Sequence, residues 1–539
     1  MARLDRAGWR ARFAGFAVCV AAAGCGLAVS GCRVAEDDVH RWESTAHGPE
    51  KLRAVLIYDK YDTALRVESA MSLIRMKPRA GRRVGIGIMV DSLAGISPET
   101  RQVIVASLVP GIITELKKPP PVAQANQASP PDPSFPYKDA AYAMLTSDKT
   151  VIIADEPLKQ QLKTALIDWA IADFEHRLDN RSQAFGMEQL LRYIGAPAVA
   201  GLPKLMTRDA KRLDQMAGLV SELADQKTKE AASAQLVIIA QYVLSDEWTK
   251  IKDPELKAAN AASRLEPTPK QFDAQLAQYR DEDLVRVFAS MRKVGGRPCV
   301  DFLLTFAANK EQSEKRRQAA LAALEGRLDR NNPDDLKRIL QIAATDAPDV
   351  VLDQAFRRVG ELPRELVVDK LYELFKTDKW KIRRAAAGTV LKMSTVKHID
   401  EFMGKLPEGA AAKGFAMGEA LAYGASIGDL KEGKPVDGLK KYFSSGSATQ
   451  RTTALGYWFT FGTSADVAAL APYESDGSRA PVCETDPDCK WACEVPKEGA
   501  KDPAKEREMK DVKTVGEFVR FCVEPAMKER QPEKKEDKK

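Results

Sequence analysis

Cysteine is the side chain this sequence gathers most tightly. Cys483, Cys489, Cys493 and Cys522 fall in one segment amid Pro, Asp and Gly, spaced C-x5-C-x3-C-x28-C. Thiolates at paired C-x2-C spacing would hold zinc, and that pairing is missing here. In an exported chain, and the N-terminus argues for export below, clustered cysteines close as disulfides. Two bridges are expected among these four, with the connectivity left open. A loop as long as Cys483 to Cys522 contributes ~3–4 kcal/mol in the chain-entropy model. Cys299 opens an apolar helical stretch and reads as a buried core residue.

Other candidate chemistry dissolves on its context. Gly424-Ala425-Ser426-Ile427-Gly428 matches the G-x-S-x-G nucleophile elbow. That motif needs a strand before it and a histidine after it. An Ala-rich helical pattern precedes it, and the last histidine, His398, comes earlier, so it reads as a helix end. Gly85-Ile86-Gly87 lacks the third glycine of a dinucleotide loop and reads as a helix irregularity. His176 has acidic neighbours but no second histidine one turn away, and reads as part of a solvated helix face. No catalytic residue, metal ligand or cofactor site is expected.

Basic pairs recur: Arg316-Arg317, Lys337-Arg338, Arg357-Arg358 and Arg383-Arg384. Collected on one face they would bind an anionic polymer, a lipid head group or an acidic protein. Interspersed Glu and Asp make a salt-bridged surface the default. With 82 basic against 76 acidic residues, charge gives little reason to expect nucleic acid.

The first residues carry Arg3, Arg6, Arg10 and Arg12, then an apolar run from Phe13 to Val29. A basic stretch, a short apolar run and small residues are the parts of a secretory signal, and the run falls short of the ~20 residues a membrane span needs. Val29-Ser30-Gly31-Cys32 resembles a bacterial lipobox. The resemblance implies cleavage after residue 31 and a lipidated Cys32. Ala22-Ala23-Gly24-Cys25 competes but lacks the aliphatic residue. Arg33 in the second mature position leans toward the outer rather than the inner membrane. Residues 32–49 are polar and expected to form a tether.

The elements that must carry these residues are helical and periodic. Leu336, Leu340 and Ala343 recur as Val367, Leu371 and Leu374, then as Ile399, Met403 and Leu406, at offsets of 31 and 32 residues. A fixed period with one helix pair per unit is the sign of a helical solenoid, because a single pair cannot bury its own apolar face. In MEQLLRYIGAPAVAGLPKLM, one helix stripe, a Gly195–Pro197 turn and a second stripe follow each other. LVRVFASMRKVGGRPCVDFLLTFA repeats the arrangement. Both resemble the HEAT family, strongest from Met187 to Leu406, with a period shorter than the family's usual ~40–47 residues.

The expected fold is therefore all-α: a right-handed α-solenoid of HEAT-like pairs with a small disulfide-rich C-terminal cap. Helical repeats span 50–118, a Pro-rich linker or loop 119–136, the main solenoid 137–475, the cap 476–525 and a disordered charged tail 526–539. Only 7% of residues are aromatic and 29% are charged, as suits a helical protein. The function implied is a non-enzymatic scaffold that binds envelope proteins and is held at the membrane by Cys32. The alternative is a binder of anionic envelope polymer or lipid through the basic pairs.

Overall fold

The computed structural model describes residues 34–79, 82–121, 132–179, 185–345, 347–408, 417–430, 438–479, 491–502 and 505–531. Cys32, Cys483 and Cys489 lie outside them. The chain divides into two units: the first runs to Ala172 and includes Asn180–Gly186, and the second comprises Asp173–Asp179 and Met187 onward. The division thus falls beyond the Pro-rich segment at 119–136 that the sequence suggested as a break. Among the described residues no helix is long and apolar enough to cross a membrane.

In the first unit the helices Gly48–Ile57, Thr63–Arg75, Val84–Gly95, Pro98–Leu116, Phe135–Leu145 and Glu156–Ala172 follow one another. Most neighbours in sequence pack, and so do next-but-one helices. Residues 34–49, expected within a polar tether, are folded instead. Glu36–Trp42 is a helix, its Val39 has no exposed surface, and Gly48 and Pro49 open the next helix as buried residues. A seven-residue helix is too short to show periodicity in the sequence, and burial of Val39 is what holds it.

The second unit builds two rows. Helices Pro269–Val294, Glu314–Ala323, Asp349–Val359, Trp380–Lys392, Met417–Gly428 and Ala448–Phe461 each pack on the next of their row. The intervening helices, among them Arg297–Ala308, Pro333–Ala344, Arg364–Glu373 and Ile399–Lys405, alternate with them. This is a HEAT-like helical solenoid. Val367, Leu371, Ile399, Met403 and Leu406 are buried as their period requires, whereas Leu336 and Leu340 are only partly covered. Phe375, Phe402 and Tyr423 run edge to face through this core at 5.8 Å centroid spacings.

One device recurs at the joints. Asp62, Ser97, Ser313 and Ser447 each cap a helix by accepting a backbone N–H. Four residues further on, a buried arginine turns back to the end of the preceding helix. Arg66 donates to the carbonyl of Leu56 at 2.9 Å, Arg101 to Leu93 at 3.3 Å and Arg317 to Ala307 at 2.8 Å. Arg383 and Arg451 do the same to the carbonyls of Thr377 and Ser445. A guanidinium there satisfies carbonyls with no intrahelical partner and meets the negative end of the helix dipole.

Two close approaches require glycine. Gly296, at φ +84°, turns the chain between helices, and a Cβ there would lie 2.8 Å from that of Ser233. A Cβ on Gly424 would lie 2.4 Å from the backbone nitrogen of Tyr457, and one on Gly428 would overlap the Phe461 ring. The apparent nucleophile elbow is thus the contact face of a helix crossing, inside the Met417–Gly428 helix.

The C-terminal cap is partly extended. Strands Ala492–Pro496 and Arg507–Asp511 pair antiparallel, with Ala492 opposite Asp511. Cys493 is bridged to Cys522, whose short helical stretch packs on Ala448–Phe461. Val515, Phe518, Val519, Val523 and Met527 are fully buried. Trp491 is only half-buried, and Phe518 packs against Phe459. Residues 526–531, expected within the disordered tail, are folded instead: Met527 is core, and Arg530 donates to the carbonyls of Gly462 and Phe459 at 3.1 and 2.5 Å.

Candidate protein-binding groove

The eight residues of the basic pairs do not form a common patch. Helical geometry turns one member of most pairs inward. Arg317, Arg358 and Arg383 are 5%, 6% and 1% exposed, which removes them from any surface for a polymer. Arg338 is engaged by Asp301 at 2.7 Å, and Arg316 by Asp281 at 2.6 Å. Arg357 meets Asp353 at 3.0 Å on the surface. Lys337 and Arg384 are exposed and make no ion pair or hydrogen bond among the described residues. The carboxylates that do the pairing come largely from neighbouring repeats, which is why the pair spacing alone did not reveal them.

What the packing does leave open is a groove of about 810 Å³ between the Asp349–Val359 and Trp380–Lys392 helices. Trp380, Arg384, Gly388 and Lys392 recur every fourth residue along one side of the second helix and all line it. The Trp380 ring is 48% exposed at the mouth. Gly388 has nothing within 4 Å of where its Cβ would stand, so the middle of the wall is bare backbone. Arg384 and Lys392 are exposed cations that make no ion pair or hydrogen bond among the described residues, about 12 Å apart along the helix axis at the α-helical rise. The facing helix supplies Leu352, Phe356 and Arg357.

Charge in the groove is uneven. Lys381 is bonded to Asp349 at 2.6 Å and Arg358 to Glu361 at 3.0 Å. Arg358 still keeps its Nε and Nη1 buried without an acceptor among the described residues, and burial lowers its pKa. A half-exposed Trp at one end of a row that continues with the exposed cations Arg384 and Lys392 suits an acidic protein segment, since Trp and Arg dominate binding energy at such surfaces. The basic pairs pointed toward Arg384 from the sequence. Trp380 and Lys392 carried no signal, because their exposure depends on which face the neighbouring repeats leave uncovered.

Among the described residues, Glu36, His40 and Glu68 bring possible ligand atoms within 4.8 Å of one another. Arg75 sits among them, bonded to Glu68 and, at 2.8 Å, to Glu43, so a guanidinium already supplies the positive charge. His176 contacts Asp173 at 2.8 Å on an exposed helix face. Cys299 is 1% exposed, and burial pushes its thiol up to about 12. Gly85 packs beneath a neighbouring helix, where a Cβ would meet the carbonyl of Leu73.

No protein-family model matches this chain, and no curated protein matches it. Solved structures that align include Kap121p bound to Nup53p, at 16% identity over 83% of this chain and 44% of that one, with a TM-score of 0.27. The karyopherin Kap121p bound to the extreme C-terminus of the phosphatase Cdc14p aligns at 16% identity over 83% and 44%, with a TM-score of 0.26. A microtubule polymerase with tumor overexpressed gene domain arrays aligns at 12% identity over 80% of this chain and 92% of that one, with a TM-score of 0.21. The chain spans less than half the length of these Kap121p chains. Superpositions at such scores transfer neither residue roles nor partners.

Proposed function

We propose that this protein is an exported scaffold, held by a lipid on Cys32 at the bacterial envelope, that binds envelope proteins along its solenoid. The outer membrane is the favoured location, on the strength of Arg33. The observation that carries the binding reading is the open groove at Trp380, with Arg384 and Lys392 further along the same helix face. Its mechanism is shape-complementary binding, with the anchor raising the local concentration of whatever is bound. No catalysis, cofactor or metal enters this reading.

The test is crosslinking and capture of the tagged protein from native envelopes, with mass spectrometry, beside the variant Trp380→Ala/Arg384→Glu. A small set of envelope proteins recovered by the parent and lost by the variant is expected. The same set from both would remove the groove from the function. The alternative, an anionic polymer or lipid bound through the basic residues, rests on Lys337 and Arg384 alone, the other members being buried or ion-paired. Salt-sensitive retention on an anionic matrix, with no protein recovered, would favour it.

A further inference from the structure

Only Arg33, Val34 and Ala35 separate Cys32 from the first helix at Glu36. In the sequence only Arg33 stands between Cys32 and Val34, so a lipid on Cys32 is covalently tied two residues from Val34. Val34 lines a groove of about 650 Å³ whose other walls include Trp42, Val55, Ile57, Tyr58 and Tyr61. Ile57 and Tyr58 are 40% and 45% exposed. Tyr58 and Tyr61 stack edge to face at 5.4 Å. Lys51 stands over the Trp42 ring at 5.3 Å and Lys60 over Tyr58 at 6.0 Å.

Trp and Tyr rings with lysines reaching past them are the composition of the boundary between head groups and acyl chains. An apolar surface of this kind also suits a protein partner. Its position decides between the two, because a lipid on Cys32 holds this groove at the bilayer before any partner arrives. We infer that Trp42, Ile57, Tyr58 and Tyr61 form a membrane-seating face that inserts into the head-group region and fixes the orientation of the first unit. The inference takes its location from the anchor reading, but the affinity of the face for a bilayer does not require the anchor. Lys51 and Lys60 are offset by Glu50 and Asp59 in the same segment, so insertion rather than attraction to anionic lipid dominates.

The experiment uses the chain without residues 1–31 and with Cys32→Ser, mixed with vesicles of phosphatidylethanolamine containing a minor fraction of phosphatidylglycerol. The protein is expected to sediment with the vesicles and to stay bound as salt is raised. Ile57→Ser/Tyr58→Ala, folded by far-ultraviolet circular dichroism, is expected to lose about tenfold in partitioning, in line with the apolar area removed. Trp42→Phe keeps vesicle binding but loses most of the tryptophan quenching by brominated lipid, a readout that a purely structural role would not move. Parent protein left in the supernatant, or equal sedimentation of the Ile57/Tyr58 variant, overturns the inference. The mass of Cys32 in the native protein tests the anchor separately: vesicle binding with unmodified Cys32 removes the anchor alone, and lipidated Cys32 without vesicle binding removes the face alone.

Discussion

Arg383 and Glu419 meet as a two-bond ion pair inside the solenoid, at 2.8 and 2.5 Å, with side chains 1% and 2% exposed. The pair ties the Trp380–Lys392 helix to the next of its row, and the Tyr423 hydroxyl donates to the same carboxylate at 3.0 Å. Removing one partner strands a buried charge, so Glu419→Ala is expected to cost about 3–5 kcal/mol in urea unfolding. Replacing both with leucine should recover most of that loss. Equal losses in the single and double variants would show that the pair does not act as a unit.

Arg317 tests the joint device at the site where its Nε donates to the Ala307 carbonyl. Arg317→Met keeps the aliphatic packing and removes the charge-assisted hydrogen bond, so a loss of about 1.5–3 kcal/mol is expected. Hydrogen exchange should speed up at the end of the Arg297–Ala308 helix. Uniform exchange across the second unit would contradict a local role.

Cys493→Ser opens a bridge between residues 29 apart. The loss expected from loop-closure entropy is about 3–4 kcal/mol. Limited proteolysis should then cut first between the two strands, and reduction of the parent should reproduce the pattern. An unchanged pattern would mean that Phe518 and Met527 hold the cap without the bridge.

Burial of Cys299 gives stability a pH dependence of known sign. Its thiol ionises near 9 when unfolded and is pushed up to about 12 in the fold. The folded protein therefore keeps this contribution in full below pH 9 and loses it as pH rises toward 12, where the unfolded chain alone carries the thiolate. Iodoacetamide near pH 9 should leave Cys299 unmodified until denaturant is added. Cys299→Ala should flatten the alkaline fall in stability.

Much of the architecture was legible because it repeats. The recurrence of Leu371, Met403 and their equivalents carries the helix pairs and the period. Short or aperiodic elements were not: Val39 lies in a helix of seven residues, and Met527 is an apolar residue among charges. Both read as polar linkers until their partners are seen. The binding groove was half-legible, through Arg384. Pair spacing identifies cations, but Asp281, Asp301 and Glu419, which neutralise their neighbours, are 35 to 37 residues away in sequence.

Arg530 adds a consequence for how the molecule comes apart. A stack of helix pairs can peel like a zip from an open end. At this end the slider is jammed: Arg530 grips the last long helix through Gly462 and Phe459, Ser464 donates back to the Arg530 carbonyl, and the Cys493–Cys522 bridge closes the module behind it. Traction applied from beyond Arg530 is therefore met first by this lock rather than by the repeats, and a processive protease arriving from that side would stall there until the bridge was reduced.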